Sequence, residues 1–271
     1  MSLVLLGIDF TSAPTKRKPI TVARGTLAGA RVALERVETL ADFAAFDALL
    51  RQSGPWLGAF DLPFGLPREL VETLGWPREW PALIEHYAAL DRAAIRDTFA
   101  AFCAARPAGA KFAHRACDAP AGSSPSMKWV NPPVAFMLHA GVPRLVAAGV
   151  HLPGLLEGDR SRIALEAYPG LLARELIGRR SYKSDDHAGQ TPERLIARKD
   201  LLEALEQGRT RLGLRVAMTH AQRDALAADG RGDRLDALLC LIQAAWASLQ
   251  PGLGVPGTVD PLEGWIVSAT P

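Results

Sequence analysis

The sequence predicts an α/β fold, a mixed central sheet flanked by helices, in a chain of 271 residues. Three observations carry this expectation. Short runs of apolar and β-branched residues recur at strand-like lengths and end in turn residues. Longer stretches of helical periodicity lie between them. A block over residues 68–159 reads as helices broken at Trp76-Pro, Trp80-Pro and Asn131-Pro-Pro133, and forms a helical insertion between the fourth and fifth strands. The whole chain is expected to be one domain containing that insertion.

The first strand is Leu3-Val-Leu-Leu-Gly-Ile-Asp9, a continuous apolar run of the kind buried on both faces of a sheet. Thr11-Ser-Ala-Pro14 stops it directly after Asp9. Ile20-Thr-Val-Ala-Arg-Gly25 and residues 30–37 alternate as two antiparallel strands. Residues 41–52 read as a helix leading into Trp56-Leu-Gly-Ala-Phe-Asp61, which repeats the design of the first strand and ends in Leu62-Pro-Phe-Gly-Leu-Pro67. Asp9 and Asp61 are therefore expected at the carboxyl ends of strands, the edge where open α/β sheets bind ligands.

After the insertion, Ile163-Ala-Leu-Glu-Ala-Tyr-Pro169 reads as the fifth strand. Residues 171–177 are expected to be helical and residues 179–191 a polar loop. Pro192 opens the next helix at its preferred first-turn position. Asp229-Gly-Arg-Gly232 breaks the chain ahead of a long apolar helix starting at Asp233. Residues 261–267 read as a short closing strand, from which Glu263 could touch the site, although solvent is the expected place for an edge-strand glutamate.

The acids carry the chemistry. Asp233 and Asp236 are three apart and share a helical face. Two like charges gain an apolar helix nothing in packing, so a cation is expected to neutralise them, most simply a divalent metal. Glu166 interrupts an apolar strand, where a carboxylate must be paired or bound to metal. Taken singly, each acid has a structural explanation: an aspartate before a turn closes it, and Asp233 can cap its helix. Asp on the first strand, Asp ending a central strand and Asp-x-x-Asp on a late helix nevertheless form an ordered set.

That set resembles the ribonuclease H-like superfamily of nucleases and resolvases. More closely, the chain is similar to the family described as a predicted nuclease of ribonuclease H-like fold (domain of unknown function 429). The segments that carry the similarity are Gly7-Ile-Asp-Phe-Thr-Ser-Ala-Pro14, Phe60-Asp-Leu-Pro-Phe-Gly-Leu-Pro67, Glu166-Ala-Tyr-Pro-Gly170, Tyr182-Lys183, Asp233-Arg-Leu-Asp-Ala-Leu-Leu239 and Glu263-Gly-Trp-Ile266. Three strands, a helix and a fourth strand is also the order in which ribonuclease H-like cores begin.

The resemblance implies phosphodiester hydrolysis with Mg²⁺ or Mn²⁺ ions held about 4 Å apart. Asp9 would bridge the ions, Asp61 and Asp236 would complete the shells, and Asp233 or Glu166 would add a ligand. Oxygen-only ligands favour these hard ions. Lys183 would stabilise developing phosphoryl charge, with Tyr182 beside it as a substrate contact. Within the insertion, Arg115, Lys128 and Trp129 are candidates for holding substrate, Trp129 by stacking on a base; Trp129 can equally fill the insertion's own small core. Sugar kinases and ATPases of the same fold also place an aspartate on the first strand, which makes a small-molecule phosphotransferase the enzymatic alternative. A binding protein that kept the fold without turnover is the non-enzymatic one. Neither a phosphate loop nor a dinucleotide fingerprint is present.

Composition sets limits. A net charge of +2 is mild for a protein that grips a long duplex. Clusters at Lys16-Arg-Lys18, at Lys111, His114 and Arg115, and at Arg179-Arg-Ser-Tyr-Lys183 still permit nucleic acid or another phosphate-bearing substrate. Hydrophobic residues at 48% supply a substantial core. Cys103, Cys117 and Cys240 lack metal-ligand spacing and are odd in number, so reduced, mostly buried thiols are expected. The N-terminal apolar run is too short for a bilayer and has no basic leader, so no membrane partner is expected and the cytoplasm is the expected compartment.

Overall fold

In the computed structural model, which describes residues 3–270, the chain opens with an antiparallel meander. Its strands are β1 (Val4–Asp9), β2 (Ile20–Ala28) and β3 (Arg31–Leu40). Helix α1 (Phe43–Leu50) returns the chain so that β4 (Trp56–Asp61) runs parallel to β1. Asp42 caps α1, its side chain accepting from the Ala45 N–H at 2.8 Å.

Five helices follow: α2 (Arg68–Thr73), α3 (Trp80–Ala89), α4 (Arg92–Ala104), α5 (Asp118–Ala121) and α6 (Val134–Ala147). The block over residues 68–159 is not wholly helical, because it also contains β5 (Val150–His151), which pairs parallel with β6 (Asp159–Glu166). Helices α7 (Pro169–Ile177) and α8 (Pro192–Gln207) come next, then β7 (Arg215–Ala217), α9 (His220–Ala228) and α10 (Asp233–Ala247). The seven strands form one mixed sheet in the order β5-β6-β4-β1-β2-β3-β7.

Three further points differ from the sequence expectations. The edge strand β7 was not anticipated, since three residues are too few to show a period. Residues 261–267 do not form a strand: they make a single bridge between Ile266 and Glu166. Glu263 is buried rather than solvated, accepting from the Arg68 and Ala116 N–H groups at 2.9 and 2.8 Å.

The pleat divides the sheet residues between two cores. Leu6, Ile8 and Phe60 face α1 and the insertion, packing with Phe46, Phe99 and Leu138. Leu5, Leu57, Ala59 and Leu165 face the opposite side, where α7, α8 and α10 cover the sheet. Helix α10 crosses β1 so closely that a Cβ on Gly7 would overlap the Ala237 carbonyl and the Leu241 amide. A glycine there lets the helix lie against the strand. No helix among the described residues is long and apolar enough to cross a membrane.

Candidate active site

Asp9 and Asp61 are the last residues of β1 and β4, and they are register partners in the parallel ladder. Paired residues on neighbouring parallel strands project from the same face, with strands about 4.8 Å apart. That face is the one covered by α10. Asp233 is the first residue of α10 and Asp236, in its first turn, is fully buried. The helix N-cap is Gly232, at φ 79°, with no side-chain cap. Capping is instead assisted by Asp229, whose carboxylate accepts from the Arg231 and Arg234 N–H groups at 3.2 and 2.9 Å. Asp233 is thereby released from the capping role.

The four aspartates act on one another electrostatically. Burial and then the charge of Asp236 raise the Asp9 carboxyl well above the usual carboxylate range, with Lys183 opposing. The same two causes lift Asp61 to about 7. Asp233 is raised to about 6 by burial, then by Asp229 and Asp236. Neither Asp9 nor Asp61 takes a side-chain hydrogen bond from any described residue.

Asp236 differs. The Tyr182 hydroxyl donates to its Oδ1 and the Lys183 ammonium to its Oδ2. Burial works to lower the Lys183 pKa, but the charges of Asp236, Tyr182 and Asp9 together with the hydrogen bond to Asp236 outweigh it and hold the ammonium well above its ordinary value. Both oxygens of Asp236 are thus engaged. Among the described residues, no three histidine, cysteine or acidic side chains converge as a ready-made metal site.

Glu166 pairs in register with Phe60, one residue short of Asp61, so its side chain leaves the opposite face of the sheet. There it accepts from Arg115 Nη2 and Nη1 at 2.6 and 2.8 Å and from the Phe64 N–H at 2.9 Å. Arg115 also donates to Asp118 Oδ1 at 2.9 Å and to the Glu263 carbonyl at 3.0 Å. Arg115, Asp118 and Glu166 are all buried. The partner that Glu166 required is an arginine of the insertion. The guanidinium expected to hold substrate is committed to this network, although it still lines the cleft wall.

The cleft above the strand ends has a volume of about 530 Å³ and is lined by Asp9, Asp61, Glu166, Lys183 and Asp233. Lys18 and Arg231 also line it. Arg231 escaped the sequence reading, and its closeness to Asp233 in the chain was the available signal. Asp118 escaped it too, though Arg115-x-x-Asp118 is an i,i+3 pair of opposite charges. Lys128 and Trp129 are not part of the cleft lining. Trp129 packs on Phe112 with ring centroids 5.8 Å apart, at the fringe of the insertion core. Tyr182 lines a neighbouring groove that shares Asp61, Tyr168 and Lys183 with the cleft and carries Arg174, Arg179 and Arg180. The three cysteines are free and buried.

No family model matches this sequence, and neither the curated proteins nor the solved structures contain a match.

Proposed function

We propose that this protein is a divalent-metal-dependent nuclease of ribonuclease H-like fold, hydrolysing phosphodiester bonds with Mg²⁺ or Mn²⁺. The observation that carries the reading is the Asp9 and Asp61 pair: two carboxylates side by side at strand ends, raised in pKa, with no side-chain hydrogen-bond donor among the described residues. Half-buried carboxylates in that condition call for a cation. An oxygen-only set made of Asp9, Asp61, Asp233 and Asp236 suits a hard divalent ion better than zinc or copper. The antiparallel meander, helix and parallel fourth strand follow the order expected of such a core.

A divalent ion held there supplies Lewis acidity for attack of water on phosphorus and for departure of the leaving oxygen. The chain's own residues do the rest. Asp9 and Asp61 present their oxygens from two rigid strand ends, so little reorganisation is needed on binding. Lys18, Lys183 and Arg231 line the cleft as cations for substrate phosphates. Tyr182 fixes the orientation of Asp236 through its hydroxyl. The network of Arg115 with Glu166 and Asp118 keeps the insertion wall in place.

The test is cleavage of short single- and double-stranded DNA and RNA oligonucleotides with Mn²⁺ and with EDTA. Cleavage by the wild type that requires the ion and vanishes in folded Asp9→Asn and Asp61→Asn supports the reading. A folded wild type that binds Mn²⁺ but leaves every oligonucleotide intact removes the nuclease assignment.

A further inference from the structure

Lys183 sits in the loop between α7 and α8, and its backbone is held on both sides. Arg198 Nη1 donates to the Tyr182 carbonyl at 2.7 Å, Ser181 Oγ to the Lys183 carbonyl at 3.2 Å, and the Ser184 N–H to the Gly230 carbonyl at 3.0 Å. Among the described residues the side chain makes one hydrogen bond, to Asp236. It is 44% exposed, it lines the cleft, and its polar end is anchored at Asp236. Gly232 at the N-cap of α10 leaves room for its stem, since a Cβ there would crowd the Lys183 Cβ and Cδ. The ammonium can therefore leave Asp236 by a change of rotamer with the backbone still.

The position it occupies matters. Lys183 is the cation whose field opposes the raising of Asp9, Asp61 and Asp233, each of which feels the charge of Asp236. It does so from Oδ2 of Asp236, one of the four carboxylates read above as metal ligands. A divalent ion that took this oxygen as a ligand would compete with the ammonium for it.

We propose that Lys183 is the resting counter-ion of the aspartate cluster, and that a divalent ion binds by displacing its ammonium from Asp236 into the cleft. This rests on the metal-dependent reading above. It explains how four neighbouring acids are tolerated together, with Lys183 bonded to one of them and its charge acting on the other three. The displaced ammonium joins Lys18 and Arg231 on the cleft wall, so loading the ion also completes the surface that receives a substrate phosphate.

The experiment is calorimetric titration of Mn²⁺, at fixed pH and salt, into the wild type, Lys183→Met and Asp9→Asn, with folding checked by circular dichroism. Lys183→Met is expected to bind at least tenfold more tightly than the wild type, because no ammonium has to be displaced. Asp9→Asn is expected to lose binding. If folded Lys183→Met binds no more tightly than a wild type whose binding Asp9→Asn abolishes, displacement is wrong and the metal centre stands. If neither the wild type nor Lys183→Met binds Mn²⁺, both ideas fall. A second readout uses the wild type alone: acetylation of Lys183 by acetic anhydride, followed by peptide mass spectrometry, with exposed Lys199 as reference. Saturating Mn²⁺ is expected to raise Lys183 labelling several-fold relative to Lys199, and an unchanged ratio overturns the proposal.

Discussion

Asp9 and Asp61 stand opposite each other across β1 and β4, each the final residue of its strand, and the ammonium that offsets their charge is bonded to a third acid, Asp236. The fold tolerates this arrangement at a cost in stability. Removing one charge should relieve it. In EDTA, Asp9→Asn is expected to melt above the wild type by on the order of 3 °C, a gain of about 1 kcal/mol. With Mn²⁺ the order should reverse, the wild type gaining stability that the variant does not. Differential scanning calorimetry in both buffers decides it, and a lower melting temperature for the variant in EDTA would count against the electrostatic account.

The raised carboxyls fix the sign of a pH effect. Asp61 titrates at about 7 and Asp233 at about 6 in the folded protein, and Asp9 is also raised. The unfolded chain releases these protons near a pKa of about 3.9. Between those values the folded state binds more protons than the unfolded state, so stability falls as pH rises through the window. In EDTA, melting temperature is expected to decline from about pH 5 to about pH 8, less steeply in Asp61→Asn. Saturating Mn²⁺ should flatten the wild-type curve. A wild-type melting temperature that climbs across this range without metal would contradict the assignment.

Gly7 governs the approach of α10 to β1. Gly7→Ala forces a methyl group into the backbone of Ala237 and Leu241. The expected cost is about 3 kcal/mol, as for an overpacked core. Because α10 carries Asp233 and Asp236, Mn²⁺ affinity should weaken as well. Urea unfolding at unchanged m-value reads the first effect and calorimetry the second.

Arg115 predicts a stability phenotype. Arg115→Met leaves Glu166 and Asp118 buried without their cation, at an expected cost of about 4 kcal/mol. Arg115→Lys should recover little of it, since an ammonium cannot span both acids and the Glu263 carbonyl with a planar fork. Chemical denaturation of the two variants tests this, and near-wild-type stability in Arg115→Lys would show that charge alone suffices.

The acids at the ends of β1 and β4 were legible because an apolar run, an aspartate and a turn signal follow one another in each. The Asp233 and Asp236 pair was legible from helical spacing. The facing of Glu166 was not. It depends on a register that pairs it with Phe60 rather than Asp61, and register is a property of two strands that neither strand states alone. The partnership of Arg115 with Glu166 joins residues with no periodic relation in the sequence. Strands β5 and β7 were too short to show alternation. Glu263 belongs to a segment whose order comes from the groups it binds, so nothing in its local pattern marked it as buried.

That segment also sets an order of events. Asp260 holds the Arg68 guanidinium, Glu263 binds the amides of Arg68 and Ala116, and Ile266 bridges to Glu166. Residues 260–267 thus clip the insertion to the sheet through contacts distant in sequence, which cannot form before these residues have been synthesised. A nascent chain on the ribosome can bring β1 and β4 together before these residues emerge. Until they do, the insertion wall stands without these ties to the sheet, held by the pairing of Arg115 with Glu166 and Asp118.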